Sequence, residues 1–324
     1  MSGVLSAVLV LVALCYFYLN RGLSREIFPA DLTCLQADQG HFIPNIVPTV
    51  SIYGIGLSYA RHINETASEF DPAIAPPVFK KSTDSLVKGG GNVAIPSASA
   101  LMESLTNIET DIHGKLNEKG IIGLRPLLDY EVELGLVLLE DVSAEDIANP
   151  DFNPKIGFIL ANDLSARSVA ILGEGRENRY EYWGASKSFP GFTPINQRIW
   201  VPETKILDAI PCVTLNTQVN GELRQNEVTS NLIYTPSEML GFIRSAYPLE
   251  DLKKGDIILT GTPGGVTLNV PRWKSRLAQL VGLDRFQKLE ISQKESSAKA
   301  FLKPGDTVRV SAEWLGDVST TVTE

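Results

Sequence analysis

Three acidic side chains mark the strand-rich middle of the sequence as a candidate metal site. Glu131 and Glu133 lie two residues apart in the segment DYEVELGLVL, so both carboxylates project from one face of a predicted strand. Asp163 follows a second apolar strand, GFILAN. Like charges this close repel each other unless a cation lies between them, and an all-oxygen ligand set suits Mg²⁺, Mn²⁺ or Ca²⁺. Taken alone, the pair also fits a solvated polar face, and the aspartate fits a turn.

A histidine and a glutamate one helical turn apart form a second candidate constellation. His62 and Glu65 share one face of a helix predicted over residues 58–70, within reach of a hydrogen bond. A carboxylate that orients an imidazole makes a general base near neutral pH, although a surface ion pair is the common alternative. The basic side chains that could meet an anionic substrate or a developing oxyanion are Lys81, Arg167 and Lys187.

Short strands must position these groups. The chain carries many apolar runs separated by turn signals and few long helical patterns, which predicts a mainly β fold of the α+β class, a mixed roll or sandwich with short helices. The strand-like runs are PPVFKK, YEVELGLVLLE, IGFILAND, IPCVTLNTQVNGELR, GDIILTG and GDTVRVSAEW. The turn at 260–266 is rich in glycine and allows a close approach to a ligand, but no Lys-Ser/Thr follows it as in a nucleotide P-loop.

One segment departs from the strand pattern. Within residues 271–299, apolar side chains recur at roughly helical spacing on both sides of Gly282, which predicts a helical insertion. The segment holds seven basic and three acidic residues, so it is locally basic.

Composition limits the partners. The 324 residues include 29 Lys+Arg and 38 Asp+Glu, a formal net charge of −9, without a long basic run, which excludes a typical nucleic-acid-binding protein. The apolar fraction of 44% is that of a globular protein. Cys15, Cys34 and Cys212 show no paired spacing, so neither a disulfide framework nor a thiolate metal site is expected.

The N-terminal segment reads as a membrane anchor. Residues 3–19 are uncharged and would reach roughly 25 Å as a helix, just short of a ~30 Å hydrocarbon core. No basic residue precedes this run and no small-x-small site follows it, so a cleaved signal peptide is the alternative. Arg21 and Arg25 come after the run, which favours a cytoplasmic body. The predicted organisation is an anchor at 1–20, a connecting arm at 21–48 and a catalytic domain at 49–324.

Eight segments, in their order along the chain, resemble the fumarylacetoacetate hydrolase family. They are GIGLSYARHINE, PPVFKK, DYEVELGLVL, GFILANDLSAR, WGASKSFPGFTPI, VNGELRQ, GDIILTGTPGGV and FLKPGDTVRV. The resemblance covers about residues 50–324 and leaves out the anchor, the arm and the insertion. It implies a mixed β-roll that is usually dimeric.

The resemblance also implies roles for individual residues. It implies that Glu131, Glu133 and Asp163 hold a divalent metal and that His62 and Glu65 activate water. Lys187 corresponds to the lysine of the family's Lys-Ser-Phe segment, and Arg167 to the arginine four residues after the metal-binding aspartate. Thr262, in the Thr-Gly-Thr-Pro turn, corresponds to a substrate contact. Two departures concern the residues that would read the substrate. Family members commonly continue Ser-Ala-Arg-Asp-x-Gln, where this chain has Ser168 and Ala170, and many have Asp where this chain has Pro190.

Together these features predict a metal-dependent enzyme that hydrolyses a C–C bond in a β-dicarbonyl or acylpyruvate-type 2-oxo acid. The metal would stabilise an enolate, and His62 with Glu65 would activate the attacking water. The alternatives are an oxaloacetate-type decarboxylase, an isomerase or hydratase at the same metal, and a non-catalytic, membrane-tethered binding protein. The expected partners are the small-molecule substrate, a second copy of the chain and a membrane in contact with residues 3–19.

Overall fold

Two β-sheets organise the chain, and they share one apolar core. A computed structural model describes residues 27–66, 70–149, 151–270, 272–296 and 300–324. The strands are β1 Thr33–Leu35, β2 Gly40–Pro44, β3 Ile52–Ile55, β4 Val78–Lys81, β5 Leu86–Lys88, β6 Gly91–Ala94, β7 Leu128–Asp129, β8 Val132–Leu138, β9 Ile156–Asn162, β10 Ser165–Ala166, β11 Thr193–Ile195, β12 Arg198–Pro202, β13 Ala209–Pro211, β14 Thr214–Val219, β15 Glu222–Val228, β16 Ile257–Leu259, β17 Thr307–Ala312 and β18 Gly316–Thr323.

The helices of the described residues are short and lie between the strands. They are α1 Ala60–Glu65, α2 Ala98–Ile108, α3 Ile112–Glu118, α4 Ala144–Ala148, α5 Arg167–Leu172, α6 Arg179–Ser186, α7 Pro236–Ala246, α8 Arg272–Leu280 and α9 Arg285–Glu295. Helices α8 and α9 occupy the segment predicted as a helical insertion, and Gly282 lies between them with φ +67°. The predicted α+β fold is confirmed.

The larger sheet has nine strands in the order β2-β12-β9-β8-β16-β3-β4, with β11 bridging β9 and β5. The smaller sheet has the order β15-β14-β17-β18-β6. Leu134 and Phe158 of the larger sheet share a core with Leu215 and Val310 of the smaller one, while Val137 belongs to a second core on the opposite face of β8. Both faces of β8 are buried, and its sequence is a continuous apolar run after Glu133.

Part of the predicted connecting arm belongs to the sheets. Strand β2 pairs with β12 at the end of the larger sheet, and β1 pairs in parallel with β13. Next to this pairing Cys34 and Cys212 form a disulfide, with their Cα atoms 5.2 Å apart. The expectation of no disulfide is therefore wrong. The two cysteines are 178 residues apart in sequence, a separation that carries no recognisable pattern.

None of the described helices combines the length and hydrophobicity that a membrane-spanning helix needs. The predicted anchor at residues 3–19 lies outside the described residues. The cytoplasmic location expected for the body stays a prediction.

A buried ion pair fastens the insertion to the helices beside the sheets. The guanidinium of Arg285 in α9 donates to both carboxylate oxygens of Glu109 at 2.6 and 2.7 Å, and to the carbonyl of Leu172 at 2.7 Å. The hydroxyl of Tyr182 in α6 donates to Glu109 as well. The hydrogen bond from Arg285 holds the pKa of Glu109 well below its usual range. Helix α9 is thus fixed to the end of α2, to α5 and to α6.

The disulfide should stabilise the folded chain, because it closes a very long loop in the unfolded state. Treatment with reductant, or substitution of both Cys34 and Cys212 by serine, should lower the free energy of unfolding by about 3–5 kcal/mol, as measured by urea denaturation. Cys15→Ser is the control and should keep the sensitivity to reductant. If the wild-type protein had the same urea midpoint with and without reductant, this prediction would be contradicted.

Replacement of Arg285 by methionine should destabilise the protein by roughly 1–3 kcal/mol, because the buried Glu109 loses its bidentate partner and keeps only the more exposed Lys115 as a cation. The matched control is Lys294→Met, which removes an exposed ion pair of the same helix and should cost about 0.5 kcal/mol or less. Equal urea midpoints for the two variants would show that the pair does not hold the insertion in place.

Candidate functional site

Strand pairing brings the three candidate metal ligands together. Val132 of β8 lies opposite Asn162 of β9, so Glu131 and Asp163, one residue beyond each, are neighbours at the end of the sheet. The amide of Asp163 donates to the carbonyl of Glu131 at 2.7 Å. Glu131, Glu133 and Asp163 are all buried, and one carboxylate oxygen from each lies within 4.8 Å of the others.

Basic side chains from three separate elements surround these carboxylates. Lys187, which follows α6, donates to Glu131 at 2.5 Å and to Asp163 at 2.6 Å. Lys81 at the end of β4 pairs with the other oxygen of Asp163. Arg167, the first residue of α5, forms an ion pair with Glu131 at 2.5 Å. The arrangement concentrates both signs of charge in a buried volume.

Asp129 is a fourth buried carboxylate, and the sequence analysis did not single it out. It accepts hydrogen bonds from Arg167 Nε at 2.9 Å and from the amides of Thr267 and Leu268 at 3.0 Å each. It therefore fixes the arginine and the chain that follows the glycine-rich turn. Asp129, Glu131 and Glu133 are spaced two residues apart, so an extended chain places their side chains on the same face. This spacing is the signal in the sequence that could have identified Asp129.

The two glutamates titrate in opposite directions. Burial opposes ionisation of Glu131, but Arg167 and Lys187 outweigh it and hold its pKa below the ordinary value. Burial, together with repulsion from Asp163, raises the pKa of Glu133 well above its ordinary value. Glu133 accepts a hydrogen bond from the amide of Gly261 at 2.8 Å and forms no ion pair with any residue in the described ranges. It is the carboxylate that most lacks a cation.

These residues fit a hard divalent cation. The donor set is three carboxylates without sulfur or imidazole, the preference of Mg²⁺, Mn²⁺ and Ca²⁺. One of the three is buried without a positive partner, which is costly unless a cation binds there.

His62 and Glu65 lie on α1, and the glycine-rich turn after β16 holds Glu65 in place. His62 Nδ1 is 3.2 Å from Glu65 Oε1, and both oxygens of Glu65 accept from the amide of Gly265, at 2.9 and 2.8 Å. Gly265 has φ +107°, and a Cβ there would lie 2.2 Å from the carbonyl of Arg224, so only glycine fits. The glycine-rich turn therefore orients the carboxylate that orients the imidazole.

A cleft of about 200 Å³ opens onto this cluster. Of the predicted site residues, it is lined by His62, Glu131, Glu133, Arg167, Lys187 and Thr262. Thr262 donates from its hydroxyl to the carbonyl of Val132 at 3.1 Å and accepts from Gln225 at 2.9 Å, so it is fixed to β8. Glu65 and Asp163 do not line the cleft themselves, but Glu65 contacts His62 and Asp163 contacts Lys187. Lys81 is fully buried against Asp163 and the carbonyl of Phe192, and does not line the cleft.

Most of the remaining cleft wall is apolar, and the polar residues there are Thr66, Glu174 and Ser186. Most of this wall could not be recognised from the sequence. Its apolar part is formed by residues of β3, β4, α5, α6 and the loop after β16 that carry no catalytic signature: Ile55, Leu57, Phe79, Ala170, Ile171, Trp183, Leu268 and Val270. Ala170, one of the departures from the family pattern, is among them. Ser165 was also not singled out, and its hydroxyl accepts from Lys187 at 2.8 Å.

Comparison with known proteins gives consistent results. The model of the fumarylacetoacetate hydrolase C-terminal domain matches residues 51–323. A mitochondrial oxaloacetate decarboxylase of Dictyostelium discoideum is 30% identical over 216 residues, 66% of this chain and 82% of that protein. An uncharacterized protein of Pyrococcus horikoshii is 29% identical over 223 residues, 68% of this chain and 80% of that protein.

A solved structure has a similar fold. Fumarylpyruvate hydrolase from Pseudomonas aeruginosa, in complex with Mn²⁺ and pyruvate, is 19% identical to this chain with a TM-score of 0.55, covering 94% of this chain and 99% of its own. A 5-carboxymethyl-2-hydroxymuconate delta-isomerase from Mycobacterium smegmatis is 20% identical with a TM-score of 0.51, covering 86% and 80%.

Replacement of Glu133 by glutamine should weaken Mn²⁺ binding by more than about 100-fold, because loss of an outer partner alone costs roughly 10–100-fold at metal sites. Titration calorimetry with Mn²⁺ measures the effect. Asp256→Asn is the matched control, since Asp256 is equally buried, has a raised pKa caused by that burial and lies outside the cleft. Equal Mn²⁺ affinity for wild type and Glu133→Gln would remove Glu133 from the ligand set.

Proposed function

Because the chain belongs to the fumarylacetoacetate hydrolase family, we propose that it is a divalent-metal-dependent enzyme that hydrolyses a C–C bond in an acylpyruvate-type 2-oxo acid or a related β-dicarbonyl compound. One observation carries the proposal. A buried three-carboxylate cluster and a histidine held by a glutamate line or support the same cleft of about 200 Å³. Hydrolysis of this kind needs both a cation to stabilise an enolate and a base to activate water.

His62 is the general base in this proposal. Its Nδ1 faces Glu65, a carboxylate that is itself fixed by the amide of Gly265, so Nδ1 carries the proton. Nε2 is then free to take a proton from a water molecule in the cleft. Such a base contributes roughly 10²–10⁴ in rate.

Glu131, Glu133 and Asp163 would hold the metal, which supplies, when bound, stabilisation of negative charge on the carbonyl oxygens of the substrate. Arg167 and Lys187, which line the same cleft, would hold the carboxylate of the substrate or the oxyanion formed by attack of water. The Mn²⁺ and pyruvate in the fumarylpyruvate hydrolase of similar fold support a metal and a 2-oxo acid here.

The charge of the cluster supports an anionic substrate. When all groups are ionised, the four carboxylates Asp129, Glu131, Glu133 and Asp163 exceed the three cations Lys81, Arg167 and Lys187 by one negative charge. A divalent cation would leave the cluster with one positive charge. A monoanionic substrate would then neutralise it, which favours binding in a buried cleft.

Decarboxylation of an oxaloacetate-type acid is the second candidate. It is favoured by the 30% identity to the oxaloacetate decarboxylase of Dictyostelium discoideum, which this chain matches over 82% of that protein's length. Decarboxylation would use the same enolate stabilisation but no attacking water, so it would depend less on His62. A homodimer and contact of residues 3–19 with a membrane stay predictions.

Replacement of His62 by alanine should lower kcat/KM for acylpyruvate hydrolysis by at least about 100-fold, because the water loses its base. Loss of enol absorbance with Mn²⁺-loaded enzyme measures the rate. His113→Ala is the control, since His113 is exposed on α3 and should have no effect.

The substrates tested decide between the candidates. Full hydrolysis by the His62→Ala variant would remove the proposed role of the histidine. Rapid decarboxylation of oxaloacetate by both wild type and variant, without acylpyruvate cleavage, would favour the second candidate. Absence of turnover on every compound would favour a non-catalytic binding protein.

A further inference from the structure

We propose that the substrate is a monoanionic 2-oxo acid whose acyl group is uncharged and apolar and packs against Trp183. This inference rests on the proposed function, and it names the class of acyl group that the site accepts. Its basis is the distribution of charge and apolar surface around the cleft.

The cations of the cleft wall are already engaged. Among the described residues, Arg167 and Lys187 are the arginine and lysine that line the cleft. Arg167 is paired with Asp129 and Glu131, and Lys187 with Glu131 and Asp163. Both lie at the end of the cleft where the carboxylate cluster is. A second carboxylate at the acyl end of a substrate would therefore meet no cation on the wall beside it.

Among the described residues, the charged side chain that lines the cleft apart from the carboxylate cluster, its cations and His62 is an acid. Glu174, which lines the cleft beyond the end of α5, pairs with Lys288 of α9 at 2.6 Å. This pair leaves no net positive charge at the rim, and the carboxylate of Glu174 would repel an acidic acyl group.

Much of the cleft wall outside the carboxylate cluster is formed by apolar side chains. Ala170 and Ile171 of α5 line the cleft together with Phe79 of β4 and Trp183 of α6, and Leu268 is part of the same lining. Trp183 is half-buried, so its ring is available to a ligand. An apolar group that leaves water for such a wall gains about 0.8 kcal/mol per methylene, which is roughly fourfold in affinity.

A row of aromatic rings leads outward from the carboxylate cluster. Lys187 Nζ lies 5.7 Å from the centroid of the Phe79 ring, Phe79 is 6.1 Å from Trp183, and Trp183 is 5.8 Å from Tyr180. A second cavity of about 750 Å³ shares Leu57, Thr66, Glu174 and Trp183 with the cleft. The charged residues of its lining carry no net formal charge, since two are acidic and two are basic: Asp71, Glu174, Arg179 and Lys288. The acyl group can thus grow along Trp183 towards this second cavity instead of ending at a closed wall.

Binding of simple 2-oxo acids tests the inference without turnover. The full-length protein loaded with Mn²⁺ is titrated calorimetrically with pyruvate, 2-oxobutanoate, 2-oxohexanoate and 2-oxooctanoate, and with 2-oxoadipate as the diacid of matched length. We expect Kd to fall roughly fourfold per methylene up to 2-oxohexanoate, and 2-oxoadipate to bind at least tenfold more weakly than 2-oxohexanoate. A flat series, or 2-oxoadipate as tight as 2-oxohexanoate, would overturn the inference.

Variants of the cleft wall test whether Trp183 and Ala170 cause the dependence of Kd on chain length. Trp183→Ala should reduce the ratio of pyruvate Kd to 2-oxohexanoate Kd at least fivefold, Trp183→Phe should keep most of that ratio, and Ala170→Gln should lower it. Trp273→Ala, at an exposed position of α8 outside both cavities, is the matched control. An unchanged ratio in a folded Trp183→Ala protein would count against the inference as strongly as a flat series.

Separate turnover assays distinguish this inference from the proposed function. Hydrolysis of acylpyruvates with no dependence of binding on chain length would leave the function standing and overturn the choice of acyl group. If Kd depends on chain length but the protein neither hydrolyses nor decarboxylates any compound, the choice of acyl group stands and the proposed function is overturned. If no 2-oxo acid binds to the Mn²⁺-loaded protein, the inference is overturned.

Discussion

Burial of four carboxylates at one end of a sheet is the constraint on which the rest of the structure depends. Asp129, Glu131, Glu133 and Asp163 would repel one another in a low-dielectric interior unless positive groups surrounded them. Three cations come from different elements and pair with these carboxylates: Lys81 of β4, Arg167 of α5 and Lys187 after α6. The amide of Gly261, after β16, donates a hydrogen bond to Glu133. The placement of the short helices follows from this need, because α5 and α6 each bring one cation to the cluster.

The insertion acts on the site through the same two helices. Arg285 of α9 binds the carbonyl that ends α5 and, through Glu109, the Tyr182 hydroxyl of α6. Lys288, one turn further along α9, pairs with Glu174 at the rim of the cleft. A segment that the family resemblance leaves out is therefore fastened to the elements that carry Arg167, Lys187 and Trp183. Its effect on the site is one of position, since no residue of α9 lines the inner cleft.

The sequence allows prediction of the fold and of the residues nearest the cluster, because both depend on local patterns. Alternation from Glu131 into β8 places Glu131 and Glu133 on one face, and the position directly after an apolar strand locates Asp163. The rest depends on contacts between distant segments. Lys81 has the residue type of a substrate contact, but the fold buries it behind Asp163, and Trp183 becomes a wall residue only because α6 packs against β4. The disulfide joins cysteines whose distance in sequence contains no signal.

The cost of the cluster is itself an argument about function. Buried ion pairs are frequently no more stabilising than apolar residues of similar size, so a protein that only needed this fold would gain little from retaining them. Glu133 makes the point most clearly, because its carboxylate is buried beside Asp163 with a single backbone hydrogen bond, and burial raises its pKa. Such a group lowers stability in the absence of a cation and becomes favourable when a cation binds. A second restriction is Gly265, where φ is +107° and a Cβ would meet the carbonyl of Arg224, so that only glycine allows its amide to hold Glu65 beside His62. Both arrangements meet at one cleft, and this coincidence supports the proposal that the cleft is an active site.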